Sequence, residues 1–369
     1  MSARIFWVSL GVVVYTYVGY TLLVAALARK RGHAPVRGDA TPPLTVVITA
    51  YNEVALIAQR VRNILDQDYP PENLCVLVVD DGSDDGTGLA ANVGDARVRV
   101  LKLPQRAGKA AALNAAMAQL TTSHVAFGDA RQQFARDALR RLLAPLADPC
   151  VGAVAGELEL GDSGHVGLYW KMERRLREAE ARLGWLHGVS GAIYALRVEL
   201  FRPLPQGILL DDLWIPLHVI FAGHSVWFAR DAIAWDAPND SAAVEYRRKL
   251  RTLAGNWQLI ARLPRLLMPW RNPVFFAWFS HKLLRLLAPW CLLALWATSW
   301  LADGVIYRFA FCAQTVAYAV AALMLLAPRI GARIPLAATA ASFVMLNTAA
   351  LFSLPAYLAR DQFQLWKKR

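Results

Sequence analysis

The sequence predicts an α/β domain with a mostly parallel sheet, flanked by membrane helices. Between residues 44 and 237, short β-type runs alternate with helical patterns, as in sheets covered by helices on both faces. Apolar residues make up 56% of the 369-residue chain, and its mean hydropathy of +0.31 is high for a soluble protein. Apolar runs of about 20 residues, enough to cross a bilayer, lie toward both ends.

The alternating region predicts one domain that begins with four strands and two helices. Roughly 190 residues are enough for such a domain to enclose a sizeable core. We expect strands at residues 44–49, 74–79, 98–103 and 124–127, and helices at residues 53–67 and 110–120.

Four membrane spans are expected, one before the domain and three after it. Residues 5–27 carry no charge and lead into Arg29, Lys30 and Arg31, the basic flank of a stop-transfer anchor rather than of a signal peptide. Further spans are expected at residues 283–301, 306–327 and 335–359. Because basic loops tend to face the cytoplasm, the loops at residues 28–37 and 329–333 predict a cytoplasmic domain with both termini outside. The basic residues 367–369 argue against an outside position for the carboxy terminus.

The net charge of +12 is concentrated between the domain and the later spans. Residues 246–285 hold nine Lys or Arg and no acid, interleaved with Leu and Trp, which is typical of helices on an anionic membrane surface. A helix packed on the domain is the alternative, and nucleic acid is disfavoured as a partner. The predicted segments are a transmembrane helix (1–28), a basic linker (29–43), the domain (44–240), interfacial helices (241–282), about three transmembrane helices (283–359) and a tail (360–369).

Acidic residues follow four of the apolar runs. Because strands of an open α/β sheet end at one crevice, carboxylates far apart in sequence can converge there. Such a crevice suits a metal, a nucleotide diphosphate and a general base. The acids are Glu53, Asp80 with Asp81, Asp129, and Asp211 with Asp212.

Each of these positions also has a purely structural explanation. Asn52 before Glu53 can cap a helix, the turn at residues 80–87 is rich in cap formers, and Asp129 or the pair at 211–212 can be caps as well. Four carboxylates within residues 80–85 repel one another unless they bind donors or a cation, which favours a ligand. Lys109 at a helix amino terminus suits an anion such as a diphosphate, with a solvated basic turn as the alternative.

In their order and spacing these motifs resemble the family-2 glycosyltransferases, in particular membrane-integrated bacterial members such as chitin-oligosaccharide and exopolysaccharide synthases. The resemblance covers nearly the whole chain. It implies a GT-A (Rossmann-like) domain and inverting transfer from a nucleotide-diphosphate sugar, usually a UDP-sugar, with a divalent cation such as Mg²⁺ or Mn²⁺. The segments that carry it are residues 46–53, 78–87, 106–114, 127–129, 190–192 and 209–223.

The family's site residues carry over to matching positions in this chain. Tyr51 and Glu53 look like the uridine contacts, and Asp81 with Asp80 like the carboxylates at uracil or ribose. Lys109 matches a contact to base or diphosphate.

The reaction centre carries over in the same way. Asp129 matches the first acid of the family's Asp-x-Asp, which holds the phosphates through the metal. Asp212, preceded by Asp211, matches the general base, and Arg251 is retained where it could face the diphosphate.

Two positions depart from the family pattern. Arg131 stands where Asp-x-Asp has its second acid, which puts the metal requirement in doubt. Thr252 replaces the Trp of Gln-x-x-Arg-Trp, so repeated addition to a polymer is in doubt unless Trp257 substitutes for it. Glu173 on a helix from residue 167 and the lone His187 are weaker candidates for the acceptor side.

These observations predict a hexosyl- or N-acetylhexosaminyl-transferase in the bacterial inner membrane, with its catalytic domain in the cytoplasm. Its partners would be a UDP-sugar or related donor, a glycan or lipid-linked acceptor and membrane lipids, with a homo-oligomer left open. The alternative is a catalytically weak partner subunit that binds nucleotide-sugar within a polysaccharide synthesis or secretion complex. Four isolated cysteines indicate neither a disulfide framework nor a metal site.

Overall fold

A computed structural model describes residues 1–160, 167–236, 242–331 and 333–359 of the chain, without the side chains of residues 160, 167–170, 242 and 328. The predicted tail at residues 360–369 therefore lies outside the described residues.

One mixed sheet of eight strands forms the centre of the domain. Its strand order is β3-β2-β1-β4-β7-β6-β8-β5, and the first four strands of that order are parallel. β7 runs antiparallel to both neighbours, while β6 and β8 are parallel. The α/β prediction is confirmed, and the sheet is most regular in its first half. The strands are β1 (Leu44–Ala50), β2 (Leu74–Asp80), β3 (Val98–Lys102), β4 (His124–Asp129), β5 (Gln133–Phe134), β6 (Val151–Leu160), β7 (Tyr194–Arg197) and β8 (Ser225–Asp236).

Fourteen α-helices occur in the described ranges, and π-helical turns at Tyr15–Gly19 and Phe279–Leu283 interrupt two long apolar helices. The helices are α1 (Ser2–Val14), α2 (Tyr20–Arg31), α3 (Val54–Leu65), α4 (Thr87–Ala91), α5 (Lys109–Met117), α6 (Ala138–Leu143), α7 (Gly167–Arg182), α8 (Asp211–Phe221), α9 (Ala242–Arg262), α10 (Phe275–Trp278), α11 (Leu284–Leu301), α12 (Val305–Leu326), α13 (Pro328–Gly331) and α14 (Ala337–Leu358).

Two apolar cores cover the two faces of the sheet. Alternate residues of a strand point to opposite faces, and β1 accordingly sends Val46 and Ile48 to one core and Val47 to the other. α3 and α6 cover the first face, where Ile57 and Leu139 are fully buried. Residues of α5 and α8 belong to the core on the second face. This layering holds the strand ends rigidly, so the loops that follow them have a fixed base.

Four helices are long and apolar enough to cross a membrane, which matches the expected number. They are Ser2–Arg31, Phe275–Leu301, Val305–Leu326 and Ala337–Leu358. The second begins at Phe275 rather than near residue 283, because the π-helical turn continues the helix through polar residues that are packed against the domain.

α9, expected on the membrane surface, makes protein contacts on two sides. Trp257 donates its indole N–H to Oγ of Ser353 on α14 at 2.9 Å. The side chain of Gln258 bonds the backbone of Leu209 and Gly207 at 2.9 and 2.8 Å. α9 is therefore packed against the domain and against α14 at these positions, and its location on the membrane surface stays a prediction.

Candidate active site

The carboxyl ends of three neighbouring parallel strands lie at one edge of the sheet. β1 pairs with β2 and β4, so that Ala50 lies beside Asp80 and Thr49 beside Asp129. Tyr51 continues directly from the end of β1. Three of the four acidic positions therefore share one edge, as expected at the switch point of an open α/β sheet.

Lys109 binds two carboxylates from different parts of the chain. It is the first residue of α5, and its Nζ lies 3.0 Å from Oδ1 of Asp129 and 3.3 Å from Oδ2 of Asp211. Burial by itself lowers the pKa of Lys109, but the two carboxylates outweigh burial and raise that pKa above its usual value. Lys109 is therefore a permanent cation that ties the end of β4 to the start of α8.

Asp212, the second residue of α8, is half-buried beside this cluster. Burial and the charge of Asp211 raise the pKa of Asp212 to about 6, and the charges of Lys109, Lys282 and Arg251 act in the opposite sense. Its Oδ1 is buried and has no hydrogen-bond partner within the described part of the chain. A carboxylate with a free oxygen and a pKa near neutrality has the properties of a general base.

Arg251 and Tyr194 also face these acids. Burial lowers the pKa of the Arg251 guanidinium on α9, and Asp211 and Asp212 act against that shift. Burial and the same two acids raise the pKa of the Tyr194 phenol on β7, whose hydroxyl finds no hydrogen-bond partner among the described residues. A cation and a fully buried hydroxyl therefore lie beside the two acids.

The carboxylates of the turn at residues 80–87 are bound by the protein's own backbone. Oδ1 of Asp80 accepts the N–H of Ser83 at 2.9 Å. Asp81 accepts three hydrogen bonds of 2.7 to 3.1 Å from the N–H groups of Ala107 and Gly108. No ligand is needed to offset repulsion between these two groups, and the role of Asp80 and Asp81 as nucleotide contacts stays a prediction.

The segment after β1 is tied to the same turn. Glu53 is the N-cap residue of α3, and Asn52, with φ of 53°, precedes it in a left-handed conformation, so the alternative of Asn52 as N-cap is wrong. The N–H of Glu53 donates to Oγ1 of Thr87 at 2.9 Å. The guanidinium carbon of Arg106 lies over one face of the Tyr51 ring, 4.1 Å from the ring centroid, in a cation–π contact.

Asp129 fits a divalent cation as a single protein ligand. Its carboxylate is 41% exposed, and Oδ1 already accepts from Lys109. Arg131, in place of a second acid, is exposed. Within the described ranges there is no group of three or more His, Cys, Asp or Glu that could hold a metal ion. Because Mg²⁺ is often bound by one or two carboxylates plus substrate phosphates, the fit requires the donor to supply further oxygens.

The structure brings together Lys109, Asp129, Asp211, Asp212 and Arg251, while Tyr51, Glu53, Asp80 and Asp81 form a separate group around the neighbouring turn. Sequence reasoning missed Tyr194, Arg177 and Lys282 near Asp212. One feature of the sequence could have pointed to Lys282: it follows His281 directly before an apolar run, where two polar residues are unusual.

Residues 45–205 match the glycosyl transferase family 2 profile. The chain therefore carries a family-2 glycosyltransferase domain, and the recognition of that family from its motifs is confirmed. In the solved structure of the mannosyltransferase PcManGT from Pyrobaculum calidifontis, in complex with GDP-Man and Mn²⁺, the same fold covers 96% of this chain and 99% of that one, with a TM-score of 0.74 and 23% identity. At that identity the likeness concerns the fold, and it confirms the GT-A architecture.

Two curated relatives illustrate the range of the family. An N-acetylglucosaminyltransferase of Rhizobium meliloti is 29% identical over 241 residues, which are 59% of this chain and 56% of the relative. A beta-monoglucosyldiacylglycerol synthase of Synechocystis is 32% identical over 126 residues, 32% of this chain and 26% of that one. The chain spans about half the length of the first of these relatives and less of the second.

Proposed function

We propose that this protein transfers a sugar, with inversion, from a nucleotide-diphosphate sugar to an acceptor held at the membrane, with Asp212 as general base. The observation that carries the proposal is the convergence of Lys109, Asp129 and Asp211 beside a carboxylate whose pKa is raised to about 6. A cation for a leaving diphosphate and a base for an attacking hydroxyl are the two groups such a reaction needs.

The donor would lie across the carboxyl ends of β1, β2 and β4. Tyr51, Glu53, Asp80 and Asp81 are the proposed contacts to the nucleoside, at the edge where the acid turn and Arg106 meet. Lys109 would face the diphosphate. A UDP-sugar is the donor that the motifs favour, and the N-acetylglucosaminyltransferase and glucosyldiacylglycerol synthase names of the relatives support a hexose or N-acetylhexosamine as the sugar.

In the proposed reaction, the acceptor oxygen attacks the anomeric carbon from the face opposite the diphosphate. The acceptor's proton passes to Asp212 as the new glycosidic bond forms and the bond from carbon to phosphate oxygen breaks. Lys109 and Arg251 stabilise the negative charge that develops on the departing diphosphate. Asp129 would hold a divalent cation, Mg²⁺ or Mn²⁺, which when bound neutralises phosphate charge.

The acceptor is proposed to be a glycan or lipid at the membrane surface. Support comes from the four candidate membrane helices and from a relative named for a diacylglycerol product. The same proposal places the catalytic domain in the cytoplasm and the helices in the inner membrane as a multi-pass arrangement. It also includes synthesis of a glycan polymer by a homo-oligomer.

The test is donor turnover by detergent-purified full-length protein with a panel of UDP-sugars and GDP-mannose, with and without Mg²⁺ or Mn²⁺. Asp212→Asn should reduce nucleotide release by about 10² to 10⁴ fold, the range of general-base catalysis, while nucleotide-sugar binding remains. Asp84→Asn, an exposed acid of the neighbouring turn, is the matched control and should stay near wild type. Binding without release from any donor, unchanged by Asp212→Asn, would instead support the partner-subunit function.

A further inference from the structure

A cavity of about 100 Å³ lies against Asp212, between the domain and the membrane helix that begins at Phe275. Its wall is built from α7, the loop before Ser190, the start of α8, α9 and the π-helical turn Phe279–Leu283. The wall residues that matter here are Arg177, Glu180, His187, Asp212, Asn256 and Lys282.

Polar atoms on this wall are buried without partners. They are Nη2 of Arg177, Oε2 of Glu180, Nε2 of His187, Oδ1 of Asp212 and Oδ1 of Asn256, none of which has a hydrogen-bond partner in the described part of the chain. Each buried unpaired polar group is unfavourable by about 1 to 3 kcal/mol, so the cavity should hold water. A volume of about 100 Å³ leaves room for several waters.

Lys282 reaches this wall because the membrane helix is anchored to the domain. His281 beside it bonds Glu180 at 2.8 Å and Glu173 at 3.0 Å. On the next turn, Arg285 bonds Glu173 at 3.1 Å. The turn itself is π-helical, a distortion that is frequent at functional sites.

The N-terminal membrane helix braces the same turn. Tyr15 and Ser280 share a hydrogen bond of 2.9 Å between their hydroxyls, which joins the two π-helical turns. Tyr20 donates to Oε1 of Glu180 at 2.7 Å. Two membrane helices therefore fix the position of Lys282 on the cavity wall.

We propose that Lys282 is a positioning residue for Asp212: its ammonium, acting across the cavity water, keeps the carboxylate ionised and directs Oδ1 into the cavity. The inference rests on the proposed function of Asp212 as base. It makes a membrane helix part of the catalytic machinery, because docking of that helix on the domain keeps the base ionised at lower pH.

The electrostatic surroundings of Asp212 set the sign of the expected effect. Burial and Asp211 raise its pKa, while Lys109, Lys282 and Arg251 lower it. Loss of the Lys282 charge should therefore raise the pKa of Asp212 further, so that the base is protonated at higher pH. The groups that face it from the surrounding elements are Lys109 (α5), Arg177 (α7), His187 (the loop between α7 and β7), Tyr194 (β7), Asp211 (α8), Arg251 (α9) and Lys282 (the π-helical turn).

The experiment compares the pH dependence of donor turnover, as kcat/KM, in full-length wild type, Lys282→Met, Lys282→Gln and Lys282→Arg. For Met and Gln the acid limb should move up by about one pH unit, so activity falls about fivefold at pH 6, about tenfold at pH 5 and little above pH 8. Lys282→Arg should keep the wild-type midpoint. Lys171→Met, on the exposed side of α7, is the matched control and should change nothing.

An unmoved acid limb in Lys282→Met and Lys282→Gln, or an equal shift in Lys282→Arg, would overturn the proposal. Melting curves and nucleotide-sugar binding separate this result from unfolding. If wild type turns over no donor, the proposed function fails. The effect of Lys282 on the ionisation of Asp212 is then measured from the pH dependence of thermal stability. The folded protein holds the Asp212 proton more tightly than the unfolded chain does, so wild type should lose stability relative to Asp212→Asn as pH rises from about 4 to about 6. In a Lys282→Met background this loss of stability should continue to higher pH.

Discussion

Two acidic clusters that look alike in sequence have opposite chemistry in the folded protein. In the turn at residues 80–87, Asp81 accepts hydrogen bonds from two backbone N–H groups, and hydrogen bonds from Thr87 lower the pKa of Asp85. At the start of α8, burial raises the pKa of Asp212, and one of its oxygens is left without a hydrogen-bond partner among the described residues.

The difference shows what separates a structural carboxylate from a reactive one. The carboxylate of Asp81 accepts hydrogen bonds from the backbone of another loop and so ties the two segments together. A buried carboxylate beside another acid binds a proton more readily, and here Lys109 keeps the pair from being neutralised altogether. The same residue type therefore supports a loop in one cluster and, in the proposed reaction, accepts a proton in the other.

The largest effect is expected from removal of the cation in the second cluster. Lys109→Met leaves Asp129 and Asp211 without their shared ammonium, and donor turnover should fall by about 10² to 10³ fold because the leaving diphosphate loses a preorganised charge. Lys109→Arg should lose less. Steady-state turnover with the best donor measures both, and equal turnover in Lys109→Met and wild type would contradict a role at the diphosphate.

The pH dependence of turnover is expected to report the raised pKa of Asp212. Only the ionised carboxylate can accept the acceptor's proton, so kcat/KM should be half-maximal near pH 6 and fall about tenfold for each pH unit below that. A profile measured from pH 4.5 to 8.5 tests this. An acid limb near pH 4 would show that Asp212 titrates as an ordinary exposed carboxylate.

A smaller and different loss is expected in the first cluster. Asp81→Ala removes the acceptor of three backbone hydrogen bonds, which should lower the free energy of unfolding by about 1.5 to 3 kcal/mol and speed amide exchange at Ala107 and Gly108. Chemical denaturation and hydrogen exchange measure these changes. Should donor KM rise sharply while stability stays unchanged, Asp81 would be a nucleotide contact first and a loop anchor second.

The smallest effect is expected at Asp84, in the same turn. Its side chain is exposed, so Asp84→Asn should change the free energy of unfolding by less than about 0.5 kcal/mol and leave turnover within twofold. Thermal melting and the donor assay are sufficient. A loss as large as that of Asp81→Ala would show that the whole acid turn acts as a unit, and the contrast between the clusters would weaken.

Sequence patterns determined the elements of this protein and their class. The strand at residues 44–49 and the apolar segment after residue 283 can be predicted from residues that are neighbours in sequence. Strand alternation and the length of an apolar segment are local properties of the chain. The parallel half of the sheet and the family-2 domain follow from those patterns and from motif order. The antiparallel β7 and the earlier start of the second membrane helix do not, since neighbours distant in sequence decide them.

Tertiary structure alone decided which carboxylates are free. Asp81 and Asp212 are both second members of an Asp pair after an apolar run, and the residues beside them do not show which carboxylate keeps an oxygen without a partner. The two backbone N–H groups that bond Asp81 come from the loop before α5, and the charges that shift the pKa of Asp212 come from Asp211 beside it and from α5, α9 and the helix that begins at Phe275. The state of a carboxylate depends on burial and on charges within a few ångströms, and folding brings those groups together from distant parts of the chain.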